Sequence, residues 1–279
     1  MTRFVVVPQW QGSPAARAMH LVDGAEAIAG DLPRASTVRL EVPASAGEAL
    51  DTGIRRFSAL SRTATALRDA LDAHDPQNGE SAGADPVLVI GGDCGVAVAA
   101  IAHAASRNEA LAVVWFDAHG DLNTPDASPS GAFAGMALRA VIDAMPFEGS
   151  GAVPASRVIL AGARELDDAE RDVVADSGIT HLDVDALRDP AALVEAVAAT
   201  GATAVYVHVD LDVLDPAVIG GVALPVPFGL SLEHLLAALG ALRARVPLVG
   251  ASIAGFAPAS PAAAIDDLGT ILRVVGALA

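Results

Sequence analysis

Short, uninterrupted apolar runs alternate along the chain with longer stretches in which apolar and polar positions mix. The short runs are rich in Val and Ile and are bounded by Gly, Pro or Asp. They predict strands at 4–7, 37–42, 86–90, 111–116, 157–161, 179–182, 204–209 and 248–253. The Ala- and Leu-rich stretches predict helices that include 53–74, 96–106, 135–145, 191–199 and 232–245. A strand apolar at nearly every position is covered on both faces, and strand–helix alternation supplies the cover, so the pattern argues for a parallel sheet with helices on either side. In such sheets the loops that follow the strands collect the chemistry. Residues 77–85, rich in Gly, Ser, Asp and Asn, read as an exposed loop. No fixed-period repeat interrupts the pattern, and the even composition favours one domain spanning 1–279.

Three of the predicted strands end in the same way. Val87 to Cys94 reads Val-Leu-Val-Ile-Gly-Gly-Asp-Cys. Ala112 to Asp121 places Asp117, His119 and Asp121 after an apolar run, and Ala204 to Asp212 places His208, Asp210 and Asp212 likewise. Extended backbone alternates its side chains between faces, so each set of three would point the same way. Several carboxylates beside an apolar strand cost several kcal/mol per unpaired charge, on the order usually found for buried ions. No Lys or Arg lies within either Asp-rich motif, so metal cations are the natural compensation. Each motif alone also fits a polar loop or cap; two of them at strand ends favour a metal site. Oxygen donors with imidazole suit Mn²⁺, with Zn²⁺, Co²⁺ and Ni²⁺ as further candidates. Bridging carboxylates suit a pair of cations, which lower the pKa of a shared water.

Composition narrows the setting. Apolar residues make up 53% of the chain and charged residues 18%, enough to bury a sizeable core. A net charge of -17, dispersed along the chain, argues against a nucleic-acid partner. No apolar stretch is long and unbroken enough to span a bilayer, and 216–232 is interrupted by Pro and Gly. With Cys94 as the single cysteine, an internal disulfide is excluded. The first ten residues lack the features of a signal peptide, so the chain reads as soluble and cytoplasmic.

Gly91-Gly-Asp-Cys94, Trp115-Phe-Asp-Ala-His-Gly-Asp-Leu-Asn-Thr-Pro125 and His208-Val-Asp-Leu-Asp-Val-Leu-Asp-Pro216 resemble the three signatures of the arginase/agmatinase (ureohydrolase) family. The resemblance runs from about Pro86 onward. It implies a three-layer α/β/α sandwich with a mainly parallel central sheet. It also implies two Mn²⁺ per chain that activate a hydroxide to attack a guanidinium carbon and release urea, and a homo-oligomer, trimer or hexamer. Carried over by position, Asp117 and Asp210 would bridge the metals. Asp121 and Cys94 would complete one shell, and His119 and Asp212 the other. Asn123 and Ser130 match positions that hold the α-carboxylate of a guanidino amino acid. The acidic run from Arg164 to Glu170 suggests Asp167 and Glu170 for the α-amino group, although an acidic helix start explains it equally.

Three departures stand out. Cys94 replaces the family's His; a thiolate is softer and favours Zn²⁺ or Fe²⁺, and the alternative is an inert buried side chain beside a weakened metal site. A Cys here also resembles a minor branch of the family that acts on hydroxylated arginine. In Ser130-Gly-Ala-Phe-Ala-Gly135, Ala134 replaces a His thought to shuttle protons and Ala132 replaces an Asn. Losing a positioned acid–base group costs on the order of 10²–10⁴ in rate. His208 is the candidate substitute, a catalytic partner to Asp121, against the plainer reading of a hydrogen-bonded core histidine. Gly255 stands where a Glu would pair with the guanidinium, which questions arginine itself. Two readings follow: a dinuclear-metal hydrolase of a guanidino or amidino compound, and a catalytically degenerate member that binds metal or ligand. A third, weaker one is an amide or other hydrolase that reuses the metal centre.

Overall fold

All eight apolar runs fold as strands: β1 (Arg3–Val7), β2 (Thr37–Arg39), β3 (Val87–Gly91), β4 (Leu111–Phe116), β5 (Val158–Ala161), β6 (Thr180–Leu182), β7 (Ala204–Asp210) and β8 (Leu248–Ala254). In this computed structural model, which describes residues 2–73 and 86–279, they form one sheet in the order β2-β1-β3-β8-β7-β4-β5-β6. Every pairing between these strands is parallel, as the continuous apolar runs require.

The helices are α1 (His20–Gly30), α2 (Phe57–Ala73), α3 (Val96–Ala105), α4 (Ala137–Ile142), α5 (Asp168–Asp176), α6 (Pro190–Ala199), α7 (Leu232–Arg243) and α8 (Pro261–Leu278). They fall into two layers, and β4 shows why. Ala112, Val114 and Phe116 join a core with Ile28 of α1, Leu193 of α6, Leu235 of α7 and Ile271 of α8. Leu111, Val113 and Trp115 join the opposite core with Leu67 of α2, Ile101 of α3 and Leu138 of α4. Period-two alternation on a doubly covered strand thus divides the molecule into three layers.

Two helices begin later than their composition suggests. The predicted 53–74 helix starts at Phe57, because Gly53 and Arg56 take positive φ (76° and 61°), which interrupts helical backbone. The predicted 135–145 helix opens with a 3₁₀ turn, Ala134–Met136, and stops at Ile142, since Asp143 is extended. Helices α1, α5 and α8 were not singled out by composition, though Ser260-Pro261 is a regular helix start, with Ser260 Oγ capping Ala263 N–H. Residue 74 and the 77–85 loop reading lie outside the described residues. No helix among the described residues is long and apolar enough to cross a membrane. Because the strands run parallel, the carboxyl ends of β3, β8, β7 and β4 meet side by side along one edge.

Candidate metal centre

At that edge each motif reaches its site by a different turn. β4 ends at Phe116 and β7 at Asp210, so the extended run expected through Asp121 and Asp212 does not form. Instead Asp117 Oδ1 accepts from His119 N–H at 2.7 Å, and Asp210 Oδ1 accepts from Asp212 N–H at 2.9 Å, folding each chain back on itself. A 3₁₀ turn, Leu211–Val213, then carries Asp212, whose Oδ1 accepts from Ala118 N–H at 3.1 Å and ties the two motifs together. Asp121 takes a left-handed conformation (φ 54°), a strain of about 1–3 kcal/mol that directs a buried carboxylate into the cluster.

The result is a pack of buried acids. Burial, followed by repulsion from neighbouring carboxylates, pushes Asp210 up to about 7, Asp212 up to about 6 and Asp121 well above the ordinary range. Burial works against charge on His119 as well. Its Nδ1 nevertheless lies 3.3 Å from Asp117 and 3.2 Å from Asp212, and the combined contacts push it up to about 12. Cys94 Sγ donates to Asp210 Oδ2 at 2.8 Å and lies 3.9 Å from Asp117 Oδ2; burial and then the surrounding carboxylates push its thiol up. Trp115 Nε1 donates to the same Asp117 oxygen at 3.2 Å.

These residues fit divalent cations. Two groups of donors each lie within 4.8 Å of one another, Asp117–His119–Asp212 and Cys94–Asp117–His208, and they share Asp117. A carboxylate common to two donor groups is the layout of a paired-metal site. Among the described residues, Asp121 Oδ2 and His208 Nε2 find no hydrogen-bond partner although both are buried, the condition of a ligand atom without its ion.

A cavity of about 280 Å³ opens over Cys94, Asp117, His119, Asp121, Asp210 and Asp212. Asn123, Ser130, Asp167 and Glu170 line it as well. Asn123 Nδ2 donates to Asp167 Oδ2 at 2.8 Å, while Glu170 Oε1 accepts from Leu122 N–H at 3.1 Å. Asp167 and Glu170 also form a capping box at the start of α5. This acidic run is a helix start, and that start faces the cavity.

The sequence profile of the arginase family matches residues 28–268. The chain belongs to the arginase family. The match begins well before Pro86, where the signature motifs start. The arginase of Bacillus caldovelox is 34% identical over 216 residues, covering 74% of this chain and 68% of that protein. Its solved structure agrees with a TM-score of 0.79 at 26% identity, covering 99% of this chain and 97% of that one. An arginase of Staphylococcus aureus aligns at 34% identity over 157 residues, about half its length at 52%. The structure of Entamoeba histolytica arginase in complex with L-ornithine shares the fold, with a TM-score of 0.82, 22% identity and coverage of 99% and 97%.

Against the arginase-family pattern, the structure gives each departure a physical setting. Gly255 follows β8 with φ 88°, and a Cβ there would meet Asp210 Oδ1 at 2.1 Å. The glycine is demanded by the backbone and by the Asp210 carboxylate beside it, so this position is more than a Glu deleted. Ala134 lines the cavity with no group able to move a proton. His208 is fully buried and lies outside the cavity lining; its Nδ1 is 2.8 Å from Ser252 Oγ and Trp115 packs on its ring. Such a placement gives it no direct path to a substrate. Burial lowers it to about 3, so the imidazole is neutral.

Two supporting residues escaped the motif reading. Asp93, buried, accepts from Gln9 Nε2, Gly12 N–H and Gly95 N–H, joining the turns after β1 and β3. Arg164 gives all five guanidinium hydrogen bonds to backbone carbonyls, of Gly162, Asp212, Val213, Val226 and Pro227. Arg164 stands inside the acidic run, and a lone arginine there was the available signal.

Proposed function

We propose that this arginase-family chain is a dinuclear-metal hydrolase of an amino acid bearing a guanidino or amidino group, releasing urea or a related product. The reading is carried by one cavity that joins the cation-binding carboxylates to the Asn123–Asp167 pair and Glu170. Asp117, Asp210, Asp212, Asp121, His119 and Cys94 would hold the two ions. When bound, the pair lowers the pKa of a shared water and so supplies hydroxide near neutral pH. Manganese is the family expectation, and the Cys94 sulfur makes Zn²⁺ a strong competitor.

The remaining work falls to this chain's own side chains. Asn123 and Ser130 meet the α-carboxylate, and Asp167 and Glu170 meet the α-amino group, fixing the distance from that end to the cluster. With alanine at 134, the buried Asp121 carboxylate at the cavity wall is the side chain placed to hold a proton for the departing nitrogen, on whichever oxygen the ion would leave free. No side chain projects from Gly255 to offset a buried guanidinium, which disfavours a fully cationic head. A hydroxylated guanidine is less basic, because oxygen withdraws electrons from the attached nitrogen, and it suits this floor better than arginine.

The test is turnover by the unmodified protein, loaded with Mn²⁺, Zn²⁺, Co²⁺ or Ni²⁺, of L-arginine, Nω-hydroxy-L-arginine and agmatine. Release of urea or hydroxyurea is expected to be fastest from the hydroxylated amino acid and slowest from agmatine, which lacks the carboxylate. No release from any compound with any metal would remove the hydrolase reading.

A further inference from the structure

His208 is the buried group that the proposed chemistry leaves unused. Its ring is fully enclosed, with the centroid 3.9 Å from that of Trp115 and the planes 36° apart. Ser252 Oγ, 2.8 Å from Nδ1, fixes the ring's orientation from β8. Nε2 has no hydrogen-bond partner among the described residues. An imidazole serving only as packing would leave that nitrogen stripped of water and unmet in the interior, an unfavourable arrangement. The ring is instead aimed at chemistry: a His208 nitrogen, Cys94 Sγ and an Asp117 oxygen lie within 4.8 Å of one another. Cys94 stands where the family's imidazole ligand would be, and its Sγ is 2.8 Å from Asp210 Oδ2 and 3.9 Å from Asp117 Oδ2.

We infer that His208 Nε2 and Cys94 Sγ together hold one of the two cations with Asp117, so that the imidazole absent from position 94 returns from β7. This rests on the paired-metal reading above but does not follow from it, because the family pattern assigns no ligand at 208. The geometry makes the exchange chemically coherent. With Nδ1–H donating to Ser252 Oγ, Nε2 keeps its lone pair for a metal, the arrangement in which ligating histidines are ordinarily held. A sulfur, an imidazole and a carboxylate form a mixed donor set that suits Zn²⁺ or Co²⁺ better than Mn²⁺. Trp115 serves as the wall behind the ring, and its Nε1 donates to Asp117 Oδ2, the oxygen that lies 3.9 Å from Cys94 Sγ.

The experiment is metal titration of the full chain, stripped of ions, with Co²⁺ and Zn²⁺, read by calorimetry and by optical absorption. The wild type is expected to bind two equivalents and to show a sulfur-to-cobalt charge-transfer band that Cys94→Ser removes. His208→Gln should weaken one equivalent by at least ~10–100-fold and alter the cobalt spectrum, while the other equivalent is unchanged. In a Cys94→His background, the same His208→Gln change should cost much less, because the imidazole is back at position 94. X-ray absorption of the zinc-loaded wild type, which needs no variant, should show sulfur together with more than one imidazole per two zinc ions. Failure of the wild type to bind any metal would sink the paired-metal reading. Two equivalents untouched by His208→Gln, or a single imidazole in the absorption data, would overturn this inference alone.

Discussion

The Nη2 of Arg164 lies 2.8 Å from the backbone carbonyl of Asp212, the residue that ties the β7 motif to the β4 motif. The other four hydrogen bonds of the guanidinium go to the carbonyls of Val213 in the same turn, of Gly162 after β5, and of Val226 and Pro227 before α7. Arg164 therefore acts on the carboxylate cluster through backbone placement, as a positioning residue. Arg164→Met is expected to destabilise the protein by at least about 2 kcal/mol, since part-buried carbonyls lose a charged donor. It should also weaken binding at the Asp117–His119–Asp212 group. Arg164→Lys should recover only part of both, because an ammonium offers three donors without the planar fork. Thermal unfolding with and without added Zn²⁺ separates the two effects.

Gly255→Glu offers a second check. By sequence alone, restoring Glu here looks like a repair. The positive φ costs a non-glycine residue about 1–2 kcal/mol, and the new Cβ would lie on the Asp210 carboxylate. The expected outcome is a lower melting temperature and a displaced metal, with no gain in arginine hydrolysis. Gly255→Ala should show the stability loss by itself. An active, equally stable Gly255→Glu protein would refute this account.

How much of this was legible beforehand divides along physical lines. The strands were readable because a doubly covered strand must be apolar throughout, and β4 and β7 are buried at every position. That Asp117, His119, Asp121, Asp210 and Asp212 gather in one cluster was readable, because buried carboxylates with no basic partner in the motifs demand a shared compensation. Their geometry was not: the period-two rule fails once the backbone leaves the strand, and nothing local announces the left-handed Asp121 or the 3₁₀ turn that carries Asp212. His208 fell between two readings, because period-two spacing places it near Asp210 but cannot reveal that Nε2 is left unpaired or that Ser252, more than forty positions away, fixes the ring. Long-range partners of that kind, Asp93 with Gln9 and Gly12 among them, exist only after the sheet assembles.

Asp121→Asn should separate function from stability. In the metal-free protein this side chain adds a buried carboxyl to a cluster whose members repel one another, and its Oδ2 has no partner. Removing the acid is expected to raise the melting temperature of the stripped protein. It should also shrink the rise that saturating metal brings, which for a ligand at one hundred times its Kd amounts to about 2.7 kcal/mol. Activity should fall steeply, because the same change alters both the proposed metal ligand and the proposed proton holder. A lower melting temperature in the stripped variant would show that Asp121 is structural rather than held in readiness for an ion.

Asp167 has two jobs that one pair of variants can divide. Its side chain caps α5 by accepting from Glu170 N–H at 2.9 Å through Oδ1, while Oδ2 holds Asn123 and faces the cavity. Serine caps a helix about as well as aspartate, but it carries no charge and falls short of Asn123. Asp167→Ser is therefore expected to melt within a degree or two of wild type, on the order of the few tenths of a kcal/mol that separate good caps. Its KM for amino-acid substrates should rise about tenfold, since roughly 1.4 kcal/mol of contact with the α-amino group is lost, while kcat changes less. Asp167→Ala should show the same rise in KM together with a loss of about 1 kcal/mol in stability. 5-Guanidinopentanoate, which keeps the carboxylate but lacks the α-amino group, serves as the control: its slow turnover should be indifferent to both changes. If Asp167→Ser leaves KM untouched, the helix start is a cap alone, and the amino-acid end of the substrate must be bound elsewhere.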